Sequence, residues 1–257
     1  MPDRLRVHAQ AAADRSHAPY SRMPAGCAVL LADGQWTSAP RVENASFPLT
    51  IPALQGALAL AALSGGTPAV VAHSRPLTDA DLAQIAQATE ATWRLAEPDV
   101  AVMDGHMPPV VGEPVPLTLD LPPPRDADDG VALAVAAASR AAVPASAFPV
   151  GAVAVDADGR MVAGANVEVV GDWTRGLCAE RTALVAAIAA GLGPVRRLYI
   201  ACTLAPGGTP CGACRQVIAE LAPEAEVVIW RGSEAPETTT PDALLPGAFR
   251  GEGLGVG

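Results

Sequence analysis

Thr209-Pro210-Cys211-Gly212-Ala213-Cys214-Arg215-Gln216 sets two cysteines two small residues apart, behind a proline and ahead of an apolar helical pattern carried by Val217, Ile218 and Leu221. At this spacing both sulfurs stand on the first turn of one helix and can reach a single tetrahedral ion. The helix N-terminus also favours thiolate over thiol. On its own, Cys-x-x-Cys serves redox chemistry as readily as metal binding. A second stretch upstream, Leu177-Cys178-Ala179-Glu180-Arg181-Thr182, adds a third cysteine and, two residues after it, an acid.

Taken together, Cys-x-Glu followed by Pro-Cys-x-x-Cys resembles the signature of the zinc nucleoside and nucleobase deaminases. Three further stretches narrow the resemblance to the cytidine deaminase family. Phe148-Pro149-Val150-Gly151-Ala152 resembles its strand entry, Asn166-Val167-Glu168 its ribose-binding Asn-x-Glu, and Leu244-Leu245-Pro246 with Phe249 its C-terminal motif. The four motifs stand in the family's order. The resemblance covers residues 130–250 strongly and 5–125 weakly.

Composition narrows the classes. The chain has 257 residues, half of them apolar and 17% charged, with a formal net charge of −10. Nucleic-acid binders present a basic face, so an acidic balance argues against DNA or RNA as substrate and leaves a small nucleoside open. No run reaches the roughly 18 apolar residues of a membrane span. Met1-Pro2-Asp3-Arg4-Leu5-Arg6 leads into no apolar signal core, and five cysteines is an odd number. Both features point to a reducing, cytoplasmic setting.

In order, the pattern predicts a helix over 3–18, a strand up to Leu31 with Asp33-Gly34 as a hairpin turn, a helix over 52–63, a strand over 69–73, a helix over 79–95 and a strand over 98–103. A Pro- and Asp-rich stretch over 108–129 reads as a linker. The pattern then restarts: a helix over 129–142, a strand over 150–155 with Asp158-Gly159 as a turn, a helix from Cys178 to Gly191, a strand over 197–202, a helix over 212–221 and a strand over 226–230.

This is an internal duplication with an offset of about 125 residues: Pro24-x-Gly26 matches Pro149-x-Gly151, and Arg41-Val42-Glu43 matches Asn166-Val167-Glu168. With one residue of slippage, Pro52-Ala53-Leu54 matches Cys178-Ala179-Glu180. The expected architecture is α/β: two similar cytidine-deaminase-like lobes, each a mixed sheet of about five strands flanked by helices. The expected domains are residues 1–107, a linker at 108–129, and residues 130–257. Pro52 and Leu54 stand where a metal cysteine and the acid would be, and Cys27 is the one cysteine before residue 126. The first lobe is therefore a folded copy without metal chemistry.

The resemblance implies one zinc ion per chain, in the C-terminal half. Residues 126–257 contain no histidine, so a three-ligand site there draws on cysteines, and Cys178, Cys211 and Cys214 have the spacing. The fourth position stays open for water, as in catalytic sites. Cys202, in a strand, reads as an inert core thiol. Glu180 is the expected proton shuttle, from the attacking water to ring N3 and the leaving amine. Arg181 is expected to donate a hydrogen bond to a ligand sulfur, offsetting three thiolates on one dication.

From the resemblance alone, Asn166 and Glu168 bind the ribose 3′-hydroxyl. Ala179 reads the pyrimidine through its backbone, the Thr209 carbonyl faces the departing ammonia, and Phe148 and Phe249 wall the base. The family also implies a homodimer of four similar lobes, with Phe47 reaching a neighbouring half's site.

Two departures stand out. The intact site lies in the second half, where familiar bacterial tandem members keep it in the first, and residues 169–176 replace a shorter family segment. The leading expectation is hydrolytic deamination of cytidine and deoxycytidine in pyrimidine salvage. A modified aminopyrimidine nucleoside as substrate, or a zinc-stapled protein without turnover, are the alternatives.

Overall fold

Two five-stranded sheets, each flanked by helices, account for the chain in a computed structural model that describes residues 2–105, 109–204, 206–232 and 235–254. Pro108, the first residue of the expected linker, lies outside the described residues, as do His106 and Met107 before it. The chain separates into two units. Unit 1 comprises the described residues of 1–42, 51–116 and 168–176; unit 2 comprises those of 43–50, 117–167 and 177–257.

Unit 1 contains α1 (Pro2–Ala13), β1 (Gly26–Leu31), β2 (Trp36–Pro40), α2 (Ala53–Ser64), β3 (Pro68–His73), α3 (Asp79–Thr89), β4 (Trp93–Glu97) and β5 (Val100–Met103). Its strand order is β2-β1-β3-β5-β4. Every residue of β1 is buried, as a continuous apolar run covered on both faces must be. Unit 2 contains α4 (Ala127–Ala138), β6 (Val150–Asp156), β7 (Met161–Ala165), α5 (Ala179–Ala189), β8 (Val195–Cys202), α6 (Gly212–Leu221), β9 (Glu226–Trp230), β10 (Glu237–Thr239) and α7 (Pro241–Leu244). Its order is β10-β9-β8-β6-β7.

The duplication is visible in a packing device used twice. A Cβ on Gly26 would lie 2.0 Å from the Ala9 carbonyl oxygen of α1, and one on Gly151 would lie 2.0 Å from the Ala134 carbonyl oxygen of α4. In each unit the first helix rests backbone-close on the central hairpin, and only glycine leaves room for it.

The lobes diverge after their third strand. In unit 2, α6 crosses over and β9 pairs parallel to β8, so that sheet is mixed as expected. In unit 1 the sheet is antiparallel throughout. There α3 stops at Thr89, short of the expected 95, because Glu90 adopts a left-handed backbone at φ 51°. Trp93 then starts an edge strand, its indole N–H donating to the Thr89 hydroxyl at 2.8 Å. The chain turns back, and β5 enters beside β3 in the opposite sense. Helix α1 is also shorter than the expected 3–18. After Ala13 the chain turns, and the Ser16 hydroxyl is tied to the Ala25 backbone on both its N–H and C=O sides.

Each unit includes a loop from the other half of the sequence. Residues 168–176 are held in unit 1 by Gln55, whose side-chain amide donates to the Arg175 carbonyl at 2.9 Å, and by Gln87, which donates to the Val170 carbonyl at 3.0 Å. Residues 43–50 belong to unit 2, where the Ala45 N–H donates to the Glu220 carboxylate of α6 at 2.8 Å. Among the described residues no helix is long and apolar enough to cross a membrane.

Candidate metal centre and active site

Helices α5 and α6 of unit 2 bring the three cysteines together at their N-termini. Cys178 is the N-cap of α5 and Cys211 the N-cap of α6, both with extended backbone, and Cys214 sits one turn in. The three Sγ atoms lie within 4.8 Å of one another, the one such group among the described residues. Cys178 Sγ is 3.9 Å from Cys211 Sγ, which is 3.6 Å from Cys214 Sγ. Zinc–sulfur bonds of about 2.3 Å at tetrahedral angles require sulfurs about 3.8 Å apart. The cluster therefore fits zinc by separation and by donor chemistry.

Electrostatics favour negative charge there. Cys211 is pushed far below the ordinary thiol range because its sulfur is hydrogen-bonded with the other two and the Cys214 and Ala213 amides of the first turn point at it. Cys178 is pushed up to about 12, chiefly by its hydrogen bond with Cys211. Cys214 is raised by its bonds to the other two sulfurs and by burial.

Glu180 stands on the first turn of α5, two residues after Cys178, and is 4% exposed. Burial raises its carboxyl above the ordinary range, against the pull of a backbone N–H and a hydrogen bond from Cys214. Ala179, fully buried, is the first residue of the same helix, so its N–H has no intrahelical acceptor.

The other expected residues fall as follows. The Asn166 amide bridges the strand entry: its oxygen accepts from the Val150 N–H at 2.8 Å and its nitrogen donates to the Phe148 carbonyl at 2.9 Å. Each amide atom keeps capacity for one more bond. Phe148 is half-buried beside it, Thr209 is exposed, and Phe249 is 52% exposed. Glu168 belongs to unit 1. Phe47 is 83% exposed, on the 43–50 segment of unit 2. Arg181 donates to the Leu49 carbonyl at 3.3 Å and not to a sulfur, while its Nε is buried without a partner. Cys202 is buried at the end of β8, its thiol pushed up to about 11 by burial.

Sequence reasoning missed two residues, one that braces the loop before Cys211 and one that holds the C-terminal stretch. Arg215 donates to the Pro210 carbonyl at 2.8 Å, the Leu244 carbonyl at 3.0 Å and the Thr209 hydroxyl at 3.1 Å. Gln216 holds Phe249 by its backbone. Their one signal in the sequence is two large polar residues directly after Cys214.

In unit 1 the corresponding helix starts carry different chemistry. Pro52 is the N-cap of α2, where Cys178 caps α5, and Leu54 is buried where Glu180 would be. Thr78 is the N-cap of α3 and Asp81 its third residue, the places of Cys211 and Cys214 on α6. These two form a reciprocal capping box: the Thr78 hydroxyl accepts from the Asp81 N–H at 3.2 Å, and the Asp81 carboxylate accepts from the Thr78 N–H at 2.8 Å. Arg75 grips the same carboxylate at 2.9 and 3.1 Å. Hydrogen bonds and an ion pair thus close the helix start that sulfurs occupy in unit 2.

Comparison with known proteins agrees with this division. A family model described as the cytidine and deoxycytidylate deaminase zinc-binding region matches residues 124–230, and a second of the same description matches residues 2–92, the half without the ligands. A cytidine deaminase from Halalkalibacterium halodurans is 40% identical over 126 residues, which is 47% of this chain and 92% of the relative. One from Sporosarcina psychrophila is 38% identical over 130 residues, 50% of this chain and 95% of the relative. The crystal structure of cytidine deaminase from Burkholderia pseudomallei is 39% identical and covers 48% of this chain and 98% of its own, with a TM-score of 0.45. The chain belongs to the cytidine deaminase family, in a tandem form whose N-terminal half keeps the fold and has lost the metal ligands.

Proposed function

We infer that the protein hydrolyses cytidine and deoxycytidine to uridine and deoxyuridine with release of ammonia, using one zinc ion per chain held by Cys178, Cys211 and Cys214. The observation that carries this reading is the buried Glu180 on the same helical turn as Cys178, beside three sulfurs at zinc spacing. Three protein ligands leave a fourth position, the mark of a catalytic rather than a structural site.

Zinc, when bound, acts as a Lewis acid that makes water acidic near neutral pH. The chain's own residues do the rest. Glu180 takes a proton from the attacking water as its oxygen bonds to C4 of the base. The same carboxyl delivers that proton to N3, then takes the second proton from the new C4 hydroxyl and delivers it to the exocyclic nitrogen, so the C4–N bond breaks with ammonia as the leaving group and a C4 carbonyl remains. The α5 and α6 N-termini offset the charge of three thiolates. Asn166, with a free donor and acceptor site on its amide, and Glu168 orient the sugar. The Ala179 N–H reads the base, the Thr209 carbonyl accepts from the leaving ammonia, and Phe148 and Phe249 flank the ring. Arg181 screens the metal site as a nearby cation. The protein works as a cytoplasmic homodimer in pyrimidine salvage.

Ammonia release from cytidine by zinc-loaded protein, with redox-inert buffer and no other substrate, tests this reading. A blank result with both cytidine and deoxycytidine contradicts it.

A further inference from the structure

We propose that Gln216 is a positioning residue that pins Phe249 to the metal helix and so governs capture of the nucleoside, an inference that rests on the deaminase reading above. Gln216 lies two residues after Cys214 on α6, and its side chain is buried. Its amide nitrogen donates to the Phe249 carbonyl at 2.6 Å, and its amide oxygen accepts from the Phe249 N–H at 3.1 Å. One side chain thus imitates a β-strand partner, saturating both backbone groups of a single distant residue.

Little else fixes that residue. Phe249 is 52% exposed, so burial does not hold its ring. Pro246 and Gly247 before it are exposed, and Gly247 has φ +70°, which places the stretch outside regular structure. The nearest ties are one turn bond from the Ala248 N–H to the Leu245 carbonyl at 3.2 Å, the Arg215 bond to the Leu244 carbonyl and the exposed Arg250–Asp242 ion pair. Surface pairs of the latter kind contribute little. Where the ring sits relative to the sulfurs therefore depends on the paired bonds from Gln216. A half-exposed aromatic held by its backbone next to a metal helix is suited to stacking on a heteroaromatic ring, and such stacking is sensitive to sub-ångström placement.

The test uses the full zinc-loaded chain and Gln216→Met, which keeps size and removes both bonds. Two readouts separate positioning from general damage. Amide hydrogen exchange at Phe249 reports the clamp without any substrate. KM and kcat for cytidine, with zinc content, report its consequence. We expect Phe249 exchange to rise at least tenfold and KM to rise about tenfold, on the order of one base–aromatic stack. We expect kcat within about twofold and full zinc content, since the amide touches no reacting atom.

Phe249→Ala should raise KM similarly, and adding Gln216→Met to it should raise KM no further, since both remove one contact. Gln216→Glu keeps the acceptor for the Phe249 N–H and serves if methionine is not tolerated; its KM should rise less. The clamp is overturned by unchanged Phe249 exchange, by a wild-type KM in either folded variant, or by additive effects with Phe249→Ala. No ammonia release by the wild-type chain, with Phe249 exchange raised in the variant, refutes the deaminase reading instead.

Discussion

Replacing Gly164 by alanine should loosen zinc and slow turnover while leaving the lobe folded. Gly164 lies in β7, and a Cβ there would stand 2.3 Å from the Ala183 nitrogen and 2.6 Å from the Ala179 carbonyl oxygen, both backbone atoms of α5. Ordinary contact begins near 3.4 Å, so α5 must retreat by about 1 Å, there being no flexible side chain to give way. Overpacking of this kind costs roughly 1–3 kcal/mol of stability. The larger effect is on chemistry, because α5 carries Cys178 at its N-cap and Glu180 on its first turn. A displacement of about 1 Å moves one sulfur out of register with the two on α6 and the carboxyl out of reach, and can cost on the order of a hundredfold in rate. Zinc per chain after dialysis against a competing chelator, kcat for cytidine and the melting curve are the assays. Wild-type zinc retention and kcat in a folded Gly164→Ala protein would refute the claim that β7–α5 packing sets the site.

Other outcomes follow from the same geometry. Thr78→Ala removes the cap of α3 and should destabilise unit 1 by about 1 kcal/mol, read by denaturant unfolding, with zinc content unchanged. Burial, with help from Arg75, lowers the pKa of His73 to about 4, although Asp81 opposes this. The folded state therefore binds that proton more weakly than the unfolded chain, whose histidine titrates near 6.5. The stability His73 contributes is full above about pH 6.5 and is lost as the pH falls toward 4, up to roughly 3 kcal/mol. His73→Gln should flatten that part of the unfolding profile, and an unchanged slope would contradict it. Cys211→Ser should abolish tight zinc binding, measured by metal analysis, because the bridging sulfur of the cluster is lost.

The cysteine cluster was legible because its geometry is local. A two-residue gap after a proline puts Cys211 and Cys214 at the N-cap and third position of α6, and Cys-x-Glu does the same for α5. The loss of the first site was legible in Pro52 and Leu54. What replaced its Cys-x-x-Cys was only half seen. Thr78 reads as a cap, but the loops before α3 and α6 differ in length, so the duplication offset does not align Thr78 and Asp81 with the cysteines. The edge strand β4 was hidden because only Trp93 of its five residues is buried, so it shows no alternating apolar face, and the left-handed turn that ends α3 falls on Glu90 rather than on a glycine. The acceptors of Arg181, Arg215 and Gln216 are backbone carbonyls 132, 29 and 33 residues away. Residue patterns carry no record of a carbonyl's position, so those contacts emerge only with the fold.

The central claim is that Glu180 moves the proton at a site whose metal is held by cysteines alone. Glu180→Gln is nearly isosteric, suits a buried position and leaves every sulfur in place. Its zinc content and its kcat for cytidine, measured on the same preparation, give the most direct test. The account predicts wild-type zinc with kcat reduced on the order of a thousandfold. Wild-type turnover in a zinc-loaded Glu180→Gln protein would contradict it.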